Sequence, residues 1–84
     1  MTTKDYKAKH PRCEVWLCSE ETTDVHHIKT RGSGGRDIEV NYIALCREHH
    51  TEAHTLGRVR FPARYALQDR WAAAFEAHNK EVRS

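Results

Sequence analysis

The sequence predicts one small α+β domain, two short strands followed by helices and stapled by metal, and three observations carry this expectation. First, 84 residues with 38% hydrophobic content suffice for one domain, but a chain this short buries only about 60% of its unfolded surface, so its core alone is marginal. Second, three Cys and seven His exceed what packing calls for, and small folds offset a thin core with a structural metal or with disulfides. Third, two runs with strand composition precede a stretch of helical periodicity.

Taken in order, residues 1–12 form a basic arm in which Lys4, Lys7, Lys9 and Arg12 face Asp5 alone, and Pro11 interrupts it. Nothing in it is periodic, so it is expected to be extended until a partner orders it. The domain proper is expected over 13–84. Cys13 and Cys18 enclose Glu-Val-Trp-Leu, a tight loop with an apolar tip. The β-branched run Thr23 to Ile28 predicts a first strand and Val40 to Leu45 a second.

Between the strands, Thr30 to Asp37 carries Gly32, Gly34 and Gly35 beside Arg31 and Arg36, a flexible hairpin connection whose charges can meet an anion. It is not a Walker loop, because no Gly-Lys-Ser/Thr follows and no helix comes next. A short helix is predicted from about Arg47, with Gly57 supplying the left-handed residue that ends it. The two strands and this helix would span about 23–57. Pro62 suits the first turn of a last helix over about 62–82, in which Leu67, Trp71, Ala74, Phe75, His78 and Val82 share one apolar face. Arg64, Arg70 and Trp71 on it are read as packing rather than as a nucleic-acid surface.

A net charge of +2 does not by itself establish a nucleic-acid partner. The odd cysteine count and the polar first segment, with no apolar stretch, lead us to expect a reducing cytoplasm and no membrane.

The cluster Cys13, Cys18, His26, His27, Cys46, His49, His50 and His54 carries the chemistry. Cys13 and Cys18 can bring two thiolates to one zinc, and Cys46 with His49 adds two ligands at the spacing of a knuckle entering a helix. A closed set of three sulfurs and one imidazole is structural, and its binding free energy would be folding free energy. The plainer alternative is a Cys13–Cys18 disulfide with Cys46 a buried thiol. Adjacent helical positions point about 100° apart, so His49 and His50 do not easily serve one ion, whereas His50 and His54 project from one face. A second metal is therefore expected at His50 and His54, with His26 as the candidate third ligand and an open position left over. His26 and His27 alternate across a strand, so they need different roles.

An open metal position beside a free imidazole is the chemistry of hydrolysis, in which the imidazole takes a proton from attacking water. His50-Thr-Glu-Ala-His54 also has the spacing of a zincin helix, but Thr51 stands where that motif needs its glutamate base, and Glu52 lies on the wrong side.

The series Asp24-Val25-His26-His27-Ile28, then Asn41 through Cys46, then His50 and His54, resembles the HNH nucleases over about Cys13 to Leu56. The resemblance implies a ββα-metal (His-Me finger) fold with structural zinc, and the C-terminal helix read from its own periodicity lies outside the motif. The resemblance also implies that His27 activates water, that His26, His50 and His54 hold the catalytic ion, and that Asn41 fixes the loop orienting His27. Many members place Asp before the catalytic histidine; His26 here is similar to the all-histidine site of bacterial toxin nucleases. Imidazole ligands suit Zn, Ni or Mn better than Mg. Lys29, Arg31, Arg36 and Arg47 are candidate phosphate contacts. Asp24 either orients a histidine or stands exposed at the strand's start.

The expected activity is endonucleolytic hydrolysis of DNA, by a monomer or homodimer, in a bacterial cytoplasm if, as the resemblance implies, a bacteriophage or mobile element encodes the chain. The alternative is a zinc-stabilised nucleic-acid-binding module without catalysis.

Overall fold

Asp24–His27 (β1) and Tyr42–Leu45 (β2) pair antiparallel, with Asp24 opposite Leu45, Val25 opposite Ala44, His26 opposite Ile43 and His27 opposite Tyr42. This is seen in a computed structural model that describes residues 2–83, with side chains as far as residue 79. Both strands are shorter than their composition predicts. The ladder's hydrogen bonds nevertheless continue past β1, from Thr23 N–H to the Leu45 carbonyl and from Ile28 N–H to the Asn41 carbonyl. Val40 and Asn41 fall in a single 3-10 turn, Glu39–Asn41, that delivers the chain into β2.

Each face of this two-stranded sheet is covered, since a bare hairpin is at best marginally stable. On one face Ile43, Leu45 and Ile28 meet Phe61, Trp71 and Ala74, with Cys13, Val15, Cys46 and Ala53 closing the core. On the other, Tyr6 packs against Tyr42, Ala44 and Val25.

Tyr6 belongs to a helix, Thr3–Lys9 (α1), which corrects the expectation of an extended arm over 1–12. Thr2 caps it by accepting the Asp5 N–H at 3.2 Å. Seven residues do not hold a helix alone; tertiary contact does. The Tyr6 hydroxyl donates to Glu14 at 2.6 Å, and Glu14 also accepts the Ala44 N–H at 2.7 Å and Arg70 at 3.1 Å. Arg70 in turn reaches the Tyr42 carbonyl at 2.8 Å. Four segments of chain are joined through one carboxylate. Burial opposes its charge, but the Ala44 N–H, Tyr6 and Arg70 outweigh burial and hold the Glu14 carboxyl below its usual range.

The helix Arg47–Arg64 (α2) is broken inside at Gly57, whose φ of 80° and ψ of −177° only glycine adopts readily. Gly57 thus ends the first helical segment, as predicted. Pro62 does not open the last helix: it lies buried in the short segment after Gly57, and the chain turns again at Ala66, with φ 55°, before Gln68–Arg83 (α3) begins. Trp71, Ala74 and His78 of α3 are buried, with Leu67 and Phe75 packed against the same core; the Val82 side chain lies outside the described residues. No described helix is long and apolar enough to cross a membrane.

Candidate metal centres

The Cys13–Cys18 segment is a turn held at its base by a bridge between Arg12 and Glu21. Cys13 N–H donates to the Glu20 carbonyl and Cys18 N–H to Val15, while Leu17 takes a positive φ of 65° at the exposed tip. Cys46 is the N-cap of α2, and its sulfur accepts the His49 N–H. These two devices bring Cys13, Cys18, Cys46 and His49 together with all four ligand atoms within 4.8 Å of one another. His49 Nδ1 lies 3.2 Å from Cys46 Sγ and 3.5 Å from Cys13 Sγ. Tetrahedral zinc separates two sulfurs by about 3.8 Å, so the set fits that ion. The three cysteines are free, which sets aside the disulfide alternative. Burial pushes the Cys13 thiol up to about 11, and a cation bound beside it would favour the thiolate.

A second set, His26, His50 and His54, also has its ligand nitrogens within 4.8 Å. His50 and His54 sit one turn apart on α2 with Nε2 atoms 3.1 Å apart, close to the roughly 3.3 Å that two nitrogens take on one tetrahedral ion. His26 points from β1 towards them, with ring centroids 5.4 Å from His50 and 5.1 Å from His54. Trp71 of α3 lies against His26, with ring centroids 6.3 Å apart and planes inclined by 29°. Burial first, then the neighbouring imidazoles of His50, His54 and His27, depress His26 to about 4, which keeps it in the neutral form that ligates. The carboxylate of Asp24 lies 3.2 Å from His50 Nδ1, so Nδ1 carries the hydrogen and Nε2 is left facing the site. Three nitrogens leave a position open.

His27 faces the other way, with its ring 5.3 Å from Tyr42. Its Nε2 is 2.8 Å from Asp37 Oδ1, and the same carboxylate accepts Arg31 at 2.8 Å and the Tyr42 hydroxyl at 3.1 Å. These donors, His27 foremost, hold the Asp37 carboxyl below its ordinary value. Asn41, fully buried, accepts the Lys29 N–H at 2.7 Å and donates to the carbonyls of Lys29 and Arg36, both at 3.0 Å. It thereby clips the two ends of the Thr30–Asp37 loop together.

A family model described as "Putative HNHc nuclease" matches residues 2–84. The chain belongs to this HNH nuclease family. No curated protein and no solved structure matches. Membership in the HNH family makes nucleic acid the class of substrate, and it places the small α+β fold with its two-stranded sheet and zinc-competent Cys/His cluster among HNH-type domains. In this fold His27 ends β1, Asn41 immediately precedes β2, and His50 and His54 lie on α2.

The basic residues divide. Lys29, Arg31 and Arg36 lie at or within the loop beside His27, whereas Arg47 lines a cleft with Glu20, Glu21 and Glu48. Arg70 is committed to Glu14, Tyr6 and Tyr42, in line with its reading as packing. Asp37 was not among the residues singled out from sequence. An aspartate closing a Gly-rich loop has an ordinary turn role, and only the fold shows that it meets a histidine ten positions earlier.

Proposed function

We propose that this chain is a metal-dependent HNH endonuclease that hydrolyses DNA phosphodiester bonds with His27 as general base. The observation that carries the reading is the His27–Asp37 pair at 2.8 Å, one residue along the strand from His26 of the open three-histidine set. A carboxylate accepts and does not donate, so His27 Nε2 bears the hydrogen and the neutral ring keeps its lone pair on Nδ1. His27 then takes a proton from the attacking water at Nδ1, and Asp37 stabilises the imidazolium that results.

His26, His50 and His54 would hold the catalytic divalent cation, which when bound supplies charge neutralisation at a phosphoryl oxygen and at the leaving oxygen. Asn41 keeps the loop ends joined, so that Asp37 stays within reach of His27. Lys29, Arg31 and Arg36 receive the phosphate backbone; Arg47, among acidic neighbours, contributes less. The knuckle of Cys13, Cys18, Cys46 and His49 holds zinc for folding. Thiolate donors must stay reduced, and we place the chain in the cytoplasm on that ground.

The test is nicking of supercoiled plasmid by metal-stripped protein resupplied with Mg, Mn, Ni or Zn, comparing wild type with His27→Ala of equal fold and zinc content. We expect metal-dependent nicking in wild type and a loss of about 100-fold or more in His27→Ala. Equal cutting by both would remove His27 as base. Binding of DNA by both without cutting would favour a non-catalytic module.

A further inference from the structure

The mechanism leaves a buried imidazole unused. His78 of α3 is 3% exposed, far along the chain from every metal ligand. Its Nδ1 lies 2.7 Å from the Ala74 carbonyl, and its Nε2 accepts the Arg36 N–H at 3.0 Å. A carbonyl only accepts and a backbone N–H only donates, so the ring is held as the neutral tautomer with its hydrogen on Nδ1. Both nitrogens are thus spoken for by backbone.

The residue gripped in this way is the one before Asp37. Arg36 is held on its N–H by His78 and on its carbonyl by Asn41, at 3.0 Å each. One clamp comes from the last helix and the other from the 3-10 turn before β2, which fixes the backbone from which the Asp37 side chain springs. Asp37 in turn meets His27.

We propose that His78 is a positioning residue for the base: its hydrogen bond to the Arg36 N–H sets Asp37, and Asp37 sets the His27 ring. The proposal rests on the reading of His27 as general base, and it makes α3 part of the active-site scaffold rather than only a cover for the core. A packing role would need His78's volume alone. A positioning role needs an acceptor where Nε2 stands.

Two variants of the full chain, loaded with zinc, separate these roles. His78→Leu keeps an apolar filling without the acceptor, and His78→Gln restores a side-chain carbonyl oxygen that can reach the Arg36 N–H. The readouts are kcat and KM for plasmid nicking, Tm, and the NMR signal of the His27 Nε2–H. We expect His78→Leu to lower kcat by on the order of ten- to a hundredfold with KM nearly unchanged, and to shift or broaden the His27 signal, as a misplaced catalytic group does. His78→Gln should recover most of both. Wild-type kcat and an unmoved His27 signal in His78→Leu would overturn the proposal, as would equal losses in both variants that simply follow a fall in Tm. Should wild type itself not cut, the nuclease reading fails separately, and the His27 signal in the two variants still decides whether His78 positions the pair.

Discussion

Asn41 holds Lys29 by both of its backbone groups, accepting the N–H at 2.7 Å and donating to the carbonyl at 3.0 Å. A side-chain amide imitates here what a neighbouring strand would offer, at the point where β1 has run out. The same nitrogen also reaches Arg36, so one buried residue satisfies three backbone groups of the loop. Asn41→Asp would turn an oxygen towards two carbonyls, and Asn41→Ala would leave all three groups unmatched. Both are expected to destabilise the fold by about 2–4 kcal/mol in chemical denaturation. A loss below about 1 kcal/mol would show that the loop closes without this clip.

Gly35 packs directly on the backbone of Lys29, and a Cβ there would overlap the Lys29 carbonyl. Gly35→Ala must therefore displace the loop that carries Asp37. Because no metal ligand lies in that loop, cobalt absorption from both sites should persist while nicking falls by tenfold or more, roughly as a 1 Å misplacement predicts. Unchanged nicking in Gly35→Ala would detach loop position from catalysis.

The two metal sites are expected to fail differently. Chelation, or Cys46→Ser, should abolish cooperative thermal unfolding, since a structural zinc supplies on the order of 10 kcal/mol of folding free energy to a small domain. His54→Ala should keep its Tm within a few degrees and lose metal-dependent nicking. Circular dichroism and nicking on the same preparations check both, and a fold that survives complete zinc removal would contradict the structural role.

Tyr6 sets an alkaline limit. Burial, reinforced by the hydrogen bond it donates to Glu14, pushes its hydroxyl from 10.0 up to about 12. Its contribution is whole below the ordinary tyrosine value and is lost as pH rises through about 12, because the unfolded chain gives up the proton first. Denaturation curves between those pH values should show stability falling with pH in wild type and a shallower fall in Tyr6→Phe. Parallel curves would mean that Tyr6 does not carry the dependence.

What was legible in the sequence is what metal chemistry and glycine geometry write locally. His50 and His54 declare a shared face by their spacing, Cys46 and His49 declare a knuckle, and Gly57 declares a break that its φ of 80° bears out. What was not legible depends on single residues acting across the fold. Nothing periodic marks α1, which is held by the lone anchor Tyr6. Ala66, with φ 55°, turns the chain before α3 without any glycine to announce it, so by sequence alone Pro62 reads as the start of the last helix. Asp37 and His78 are ordinary residues in their local contexts; they matter through partners 10 and 42 positions away.

His26 and His27 are consecutive, and the strand's alternation alone sends one towards His50 and His54 and the other towards Tyr42 and Asp37. A single residue inserted in or deleted from β1 would exchange their directions, presenting the proton acceptor to the ligand pair and the ligand to the loop. Point changes around this strand can be absorbed, but changes of length cannot. Descendants of this chain are therefore expected to vary in size at the loop between the strands, within the limits its clamps allow, and to keep the count of residues in β1 unaltered.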